Sequence, residues 1–427
     1  MMERLMHLLK NSGSPYQVVN CCEEQLKEAG FEELDIHHLM DPHLGGRYYI
    51  KPYDTMLFAF KMGTKRSYIQ EIRLAAAHTD QPCFRVKPNP EMEKEGYLKV
   101  NVETYGSPIL SSWMDRPLGL AGKVVLKSDR IFYPKSVLFD SKKPIAVIPN
   151  LAIHMNKEVN KGVELNKQKD MLPLLGLWEE SLNKEDFFLN YLAEEIGTTK
   201  DQILDFDLYF YNGEEPCLTG MKEELISSPR LDNLASVQAL VEGLIDSEKE
   251  QGISFIALYD NEEIGSRSKQ GAGSNLLENI LRSIVLSNGM PEGKYMEALA
   301  HSRYLSVDGA HGLHPNAPEK CDPTSQPVLG GGVVLKVSGT QKYATDCEMI
   351  GAMKQLMEGN NIRYQMGIDR SDLVGGTTIG PILSGILPIP GCDLGIPMLA
   401  MHSARELAAV SDYMNLRDCI RSYFMVY

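Results

Sequence analysis

The chain alternates between two hydrophobic patterns over much of its 427 residues. At 234–244 apolar residues recur every three or four positions, which predicts an amphipathic helix. Residues 15–29 predict another helix, with Gly30 as its C-terminal cap. Unbroken apolar runs such as 253–259 are typical of buried strands. This alternation predicts an α/β fold with a mostly parallel central sheet flanked by helices.

The pattern changes in the middle of the chain. Between about Arg85 and Ser227 it predicts short strands and turns, and then a more helical stretch at about 171–196. The short strands are predicted at 97–105, 120–126, 131–133 and 145–148. We therefore expect residues 1–84 and 228–427 to form one α/β domain, which a β-rich domain at 85–227 interrupts.

Charge and cysteine content narrow the class of protein. The formal net charge is −14 and the isoelectric point is about 5.3, which argues against a nucleic-acid-binding or anionic-membrane surface. None of the eight cysteines form a Cys-x-x-Cys pair, so we expect reduced thiols. Residues 1–7 lack a long apolar signal core, and four prolines and Asp393 interrupt the stretch 380–401. These features predict a soluble, cytoplasmic protein with no membrane span.

Histidines and carboxylates come where apolar runs end or a helix begins. They are His78, Asp232, Glu262, Glu263, Asp308 and His402. Because ligands bind outside the carboxyl ends of parallel strands, we expect these side chains to meet in one crevice. Imidazole nitrogens suit zinc or cobalt, and carboxylates can bridge two ions. The sequence therefore predicts a two-metal hydrolytic site, in which a carboxylate that is not a ligand takes the proton of water.

Taken singly, these residues have structural explanations as well. Asp232 could be the N-cap of the helix that follows it, and Glu262-Glu263 could be a solvated turn. His78 could be a structural histidine. However, Asp80 lies two residues later, and metal-bound histidines commonly need such a carboxylate partner.

Other polar segments are less specific. His311 and His314 lie in a loop after Asp308, which fits either the crevice or plain loop structure. The glycine-rich segment 375–380 lacks the Lys-Ser/Thr ending of a phosphate loop, and we interpret it as tight backbone near the substrate. The remaining histidines that we interpret as surface or structural residues are His7, His37, His38, His43 and His301.

The ordered motifs of nearly the whole chain resemble one known family. They lie at 78–80, 82–83, 85–89, 113–122, 149–156, 228–234, 260–266, 308–316, 376–381 and 401–406. They resemble the aspartyl aminopeptidase and vacuolar aminopeptidase I family of dinuclear zinc exopeptidases. The resemblance implies an enzyme that removes N-terminal residues from peptides with a free N-terminus. It also implies two Zn²⁺ ions per subunit, for which Co²⁺ or Mn²⁺ could substitute.

The resemblance implies a role for each residue of the predicted site. The ligands of one ion are then His78, Asp232 and Asp308, and those of the other are the bridging Asp232, Glu263 and His402. Glu262 matches the general base, and Asp80 matches the residue that orients His78.

The resemblance also implies substrate contacts and an assembly. His154 lies in the inserted domain, which makes dimer contacts in this family, and the matching histidine reaches a neighbouring subunit's active site. His311 matches a residue that stabilises the reacting carbonyl, and Lys336 and Tyr343 match positions near the substrate. Homo-oligomers are expected, as tetrahedral dodecamers built from dimers.

The preferred substrate is left open by the sequence. Lys336 would attract an acidic N-terminal side chain, Asp or Glu. However, 372–376 reads Asp-Leu-Val-Gly-Gly where aspartyl enzymes usually have acid-x-Pro-Cys-Gly, so neutral or broad specificity is an alternative. A deacetylase or carboxypeptidase with the same dinuclear site is another alternative, and a non-catalytic assembly scaffold is a third.

Overall fold

The computed structural model describes residues 2–36, 42–65, 71–179, 186–287, 291–373 and 375–426. Its α-helices are α1 (Glu3–Asn11), α2 (Pro15–Glu28), α3 (Leu110–Trp113), α4 (Phe187–Glu195), α5 (Leu231–Asp246), α6 (Leu276–Ser287), α7 (Glu292–His301), α8 (Cys347–Gly359), α9 (Ile379–Ile386) and α10 (Val410–Met425). Its strands are β1 (Glu32–Glu33), β2 (Arg47–Tyr53), β3 (Met56–Met62), β4 (Ile72–His78), β5 (Cys83–Lys94), β6 (Tyr97–Tyr105), β7 (Leu118–Leu126), β8 (Lys135–Asp140), β9 (Leu174–Leu177), β10 (Ile203–Asn212), β11 (Cys217–Thr219), β12 (Leu225–Ser228), β13 (Ile253–Tyr259), β14 (Arg303–Val307), β15 (Ala310–His311), β16 (Val333–Val337), β17 (Tyr364–Ile368), β18 (Gly391–Gly395), β19 (Pro397–Leu399) and β20 (Glu406–Ala409).

The largest sheet has nine strands in the order β1-β2-β3-β13-β4-β14-β18-β16-β17. The four central strands β13, β4, β14 and β18 are parallel to one another. Antiparallel pairs flank them, β2 with β3, β3 with β13, and β16 with β18. The sheet is therefore mixed, and its parallel centre places the carboxyl ends of β13, β4 and β14 at one edge.

Helices cover both faces of this sheet, which confirms the predicted α/β class. Along β13 the side chains of Phe255, Ala257 and Tyr259 enter one buried core, and those of Ile256 and Leu258 enter the other. This alternation follows from the two-residue period of a strand. The first core also contains residues of α6, α7 and α9, and the second contains residues of α1, α2, α5, α8 and α10.

A second, antiparallel sheet is formed by the middle of the chain, in the order β8-β7-β10-β5-β6-β9. Two predictions for this region were wrong. Residues 131–133 form an exposed turn between β7 and β8, where Ile131 is 88% and Phe132 91% exposed. The predicted helical stretch at 171–196 contains the strand β9 before α4, and residues 180–185 lie outside the described residues.

A small third sheet has the order β11-β12-β20-β19-β15. Two neighbouring strands of this sheet flank the loop that contains His402, since β19 ends at Leu399 and β20 begins at Glu406. Among the described helices, none has both the length and the apolar content needed to cross a membrane.

Candidate metal centre

Two neighbouring strands bring the first cluster of ligand atoms together. His78 is the last residue of β4, and Asp308 directly follows β14, which pairs with β4 in parallel. His78 Nε2 lies 3.6 Å from Asp232 Oδ1 and 3.7 Å from Asp308 Oδ1. All three side chains are buried. They form a cluster of three potential metal ligands at the edge of the sheet.

The second cluster shares Asp232 with the first. His402 Nε2 lies 3.4 Å from Asp232 Oδ2 and 3.4 Å from Glu263 Oε2. The two oxygens of Asp232 therefore face different histidines, Oδ1 towards His78 and Oδ2 towards His402. Asp232 lies inside α5 with non-helical backbone angles, and it does not cap that helix.

The chemistry of these residues fits divalent cations. Asp232 Oδ1 and Glu263 Oε1 are buried and have no hydrogen-bond partner among the described residues. Burial raises the pKa of Glu263 well above its usual range, and the neighbouring Asp232 raises it further. Buried carboxylate oxygens without partners are costly unless a cation or proton compensates them. Two imidazoles and three carboxylates, one of which is the shared Asp232, are a suitable ligand set for two zinc ions.

Asp80 connects the first histidine to the acidic loop. Its carboxylate accepts hydrogen bonds of 3.1 Å from the backbone N–H groups of Glu262 and Glu263. Its Oδ1 lies 3.3 Å from His78 Nδ1, and the Tyr105 hydroxyl donates to its Oδ2 at 2.7 Å. The backbone carbonyl oxygen of Asp80 also lies 3.0 Å from His78 Nδ1, so Asp80 contacts both the imidazole ring and the loop.

Glu262 belongs to neither cluster that contains Asp232, but its carboxylate groups with His78 and Glu263, with ligand atoms within 4.8 Å of one another. It is half-buried, in a short 3₁₀ turn after the left-handed residue Asn261. Burial raises the pKa of Glu262 to about 8, and the carboxylates of Asp308 and Asp80 add to that effect, whereas His78 opposes it. A carboxyl group of raised pKa next to such a centre can accept and release a proton near neutral pH.

Lys336 supplies positive charge from β16. Its ammonium is buried, donates to Gly309 O at 2.6 Å and lies 5.3 Å from the centre of the Tyr343 ring. Burial raises the pKa of Asp308, but Lys336 and His78 outweigh burial and hold that pKa well below its usual range. The charge of Lys336 is thus already engaged with the site.

The structure places most of the remaining predicted residues around one cavity of about 390 Å³. The ligand clusters, Glu262, His311, Lys336 and Tyr343 all line it. His154 is exposed and does not line it. The other histidines also lie away from this lining, except that His37 and His38 fall outside the described residues.

Sequence reasoning did not assign a role to Glu406. This buried carboxylate accepts the Asp232 N–H with Oε2 at 3.0 Å and the His402 N–H with Oε1 at 2.7 Å. One side chain therefore holds the backbone of a residue in each cluster. Its position in the motif at 401–406 was visible, but its hydrogen-bond partners were not.

Comparison with known proteins gives consistent results. The model of the family described as aminopeptidase I zinc metalloprotease (M18) matches residues 8–424. A probable M18 family aminopeptidase 2 of Clostridium novyi is 42% identical over 96% of this chain and 95% of its own length. The solved complex of Ape4 and Nbr1 contains a similar chain, with 31% identity, a TM-score of 0.93, and coverage of 98% and 84%. The mApe1 dodecamer of S. cerevisiae has 26% identity, a TM-score of 0.86, and coverage of 99% and 95%.

Proposed function

This chain belongs to the M18 family of aminopeptidase I zinc metalloproteases, and we propose that it removes N-terminal residues from peptides at a two-metal centre. The proposed ligands are His78, Asp232, Glu263, Asp308 and His402. The observation that carries the proposal is the pair of clusters that share Asp232, whose buried Oδ1 has no hydrogen-bond partner among the described residues.

Each side chain has a defined task in this proposal. Two bound divalent ions would polarise the scissile carbonyl and lower the pKa of water. Glu262 accepts the proton of that water and returns it to the leaving amine. Asp80 keeps His78 and the acidic loop in place through the hydrogen bonds described above. His311, on the wall of the same cavity, contacts the carbonyl oxygen of the substrate.

The test separates proton transfer from metal binding. Glu262→Gln removes the proton acceptor but no proposed ligand, so turnover of amino-acid amides should fall by about 10²–10⁴-fold. Metal content per subunit, measured after loading with Zn²⁺, Co²⁺ or Mn²⁺, should stay at the wild-type value. Glu348→Gln makes the same chemical change on the exposed side of α8 and should leave turnover unchanged. Full turnover in Glu262→Gln would overturn the role of Glu262.

The same assay tests the alternatives. An aminopeptidase cleaves peptides with a free N-terminal amine, whereas a deacetylase acts on N-acetylated ones and a carboxypeptidase on the other end. A scaffold would bind no metal and cleave none of them. A panel of Asp, Glu, Leu and Lys amides decides between the acidic and the neutral or broad preference that the sequence left open.

We also propose that 85–227 is a dimerisation domain of a homo-oligomer, with dodecamers built from dimers. Large apolar side chains are exposed in this segment, including Phe132 at 91%, Met155 at 76% and Leu177 at 68%. Large apolar side chains that monomers leave exposed commonly mark a protein interface where they lie together on the surface. The similar mApe1 chain of S. cerevisiae forms a dodecamer, which supports the larger assembly.

A further inference from the structure

A second cavity of about 400 Å³ adjoins the metal centre. Both cavities are lined by His311, Lys336 and Tyr343, so a substrate held at the centre can extend into the second one. We call it the side cavity. Val334, Ile368 and other apolar residues form part of its wall, and its size is sufficient for a long side chain.

Most of the charges in the side cavity already have partners. Arg370 donates to both oxygens of Asp372, at 2.8 and 2.7 Å, and to a backbone carbonyl. Lys336 is bonded to Gly309 O. The carboxylate of Asp322 accepts hydrogen bonds of 2.9 Å from Thr324 and Ser325 within its own turn.

Asp369 is the exception among the anions of the cavity wall. It is half-buried, and within the part of the chain that the structure describes its carboxylate receives one long hydrogen bond, 3.4 Å from the Tyr343 hydroxyl. Its Oδ2 occupies the space where a Cβ on residue 375 would lie, so Gly375 makes room for it. Tyr343 also lines the cavity at the metal centre, so Asp369 contacts a residue that both cavities share. The remaining cation of the wall, Lys320, is exposed.

We propose that the side cavity receives the side chain of the substrate's N-terminal residue and that Asp369 selects a cationic one, lysine or arginine. This inference rests on the proposed aminopeptidase function. A long stem packs on the apolar wall while its charged end reaches the carboxylate. Such a pair is partly shielded from water, and it opposes the binding of Asp or Glu by like-charge repulsion.

The test replaces Asp369 by the neutral residue of the same shape. In Asp369→Asn, kcat/KM for lysine amide should fall about tenfold relative to leucine amide, because one charge pair is lost. The leucine value itself should stay within about threefold of wild type, since leucine makes no use of the charge. Asp322→Asn lies on the same wall but serves its own turn, so it is the matched control and should keep the wild-type lysine-to-leucine ratio.

Binding of free amino acids gives a readout without turnover. Wild type should bind lysine more tightly than norleucine, its uncharged linear analogue, and Asp369→Asn should remove the difference, as measured by calorimetry. A wild-type preference for aspartate or glutamate, or an unchanged lysine-to-leucine ratio in Asp369→Asn, would overturn the inference. If the metal-loaded wild type cleaves no amide at all, the proposed function fails, and the calorimetric comparison still decides the role of Asp369.

Discussion

At the residue scale, part of the cluster was predictable because strands that run in parallel end at the same edge of a sheet. His78 and Asp308 end or follow neighbouring strands, and the sequence contains both the apolar runs and the polar residues after them. Glu406 and Asp369 were not predictable as functional residues, because their importance depends on contacts with segments far away in the chain. The glycine at 375, which departs from the usual acid-x-Pro-Cys-Gly pattern, is accounted for by the space that Asp369 needs.

Glu406 leads to a prediction about metal affinity. In Glu406→Gln one carboxylate oxygen becomes an NH₂ group, so the side chain can accept only one of the two backbone N–H groups, from Asp232 or from His402. We expect metal affinity to weaken by about 10–100-fold, as for other residues that orient ligands. Competition with a chelator of known affinity measures this change.

The chain offers a matched control for this variant. Asp412 is also a buried carboxylate that accepts two backbone N–H groups, from Gly330 and Gly332 at 2.7 and 2.8 Å, but it does not line the cavity at the metal centre. Asp412→Asn should lower stability and leave metal affinity unchanged. Equal losses of metal affinity in both variants would mean that Glu406 acts only through general stability.

At the element scale, regular hydrophobic periodicity predicted the structure well. The helix at 15–29 is observed as α2, and the run at 253–259 is β13. The strand predicted at 131–133 failed because three adjacent apolar residues do not show whether a sheet or another chain will cover them. His402 follows an apolar run as predicted, but that run belongs to the small third sheet, which periodicity could not separate from the central one.

Lys61 on β3 leads to a prediction about the end of α5. Its buried ammonium donates to Ile245 O at 2.8 Å and Ser247 O at 2.6 Å, and burial lowers the pKa of Lys61 to about 8. Lysine in the unfolded chain has a pKa of about 10.4, so between about pH 8 and 10 the unfolded chain binds more protons at residue 61 than the folded protein does. The free energy of unfolding rises with pH where the unfolded state binds more protons. The stability lost through the lowered pKa of Lys61 is therefore regained as pH rises from about 8 to 10.

Urea unfolding at pH 7.5 and 9.5 measures the effect. Between these values wild type should gain about 2 kcal/mol relative to Lys61→Met, which lacks the titrating group. Lys127→Met, at an exposed position after β7, is the control and should follow the wild-type profile. Parallel profiles for wild type and Lys61→Met would contradict the prediction.

At the scale of the whole molecule, the α/β class and the helices on both faces were predicted, whereas the mixed strand directions were not. Alternating patterns indicate which helices and strands exist. They do not indicate that β3 pairs with β13 in the antiparallel direction, because strand order and direction depend on contacts between distant segments. Contacts between subunits do not follow from the structure of a single chain. The exposed position of His154 fits a residue that acts on a neighbouring subunit.

Mixed oligomers test that interpretation of His154. If each site combines its own Glu262 with the neighbour's His154, then His154→Ala and Glu262→Gln should each lose activity alone but complement each other when assembled together. Random pairing in symmetric dimers restores about a quarter of the sites. Light scattering confirms that mixed assemblies form.

The control mixes Glu262→Gln with His78→Ala. Each of these changes inactivates the site of the subunit that carries it, so every mixed dimer stays inactive. Recovery in this control as well would point to contamination by wild-type enzyme. An absence of recovery with His154→Ala, in assemblies of normal mass, would show that His154 does not act across subunits.

The hydrogen bond from Tyr105 to Asp80 limits how this protein can be redesigned. Tyr105 ends β6 in the antiparallel sheet, and its hydroxyl also accepts from Asn261, next to the acidic loop. A shortened chain in which a linker replaces 85–227 would keep every proposed ligand, yet Asp80 would lose a buried donor. Such a minimal enzyme would therefore need a new hydroxyl donor to Asp80. The antiparallel sheet contributes a hydrogen bond to the metal centre in addition to packing against the central domain.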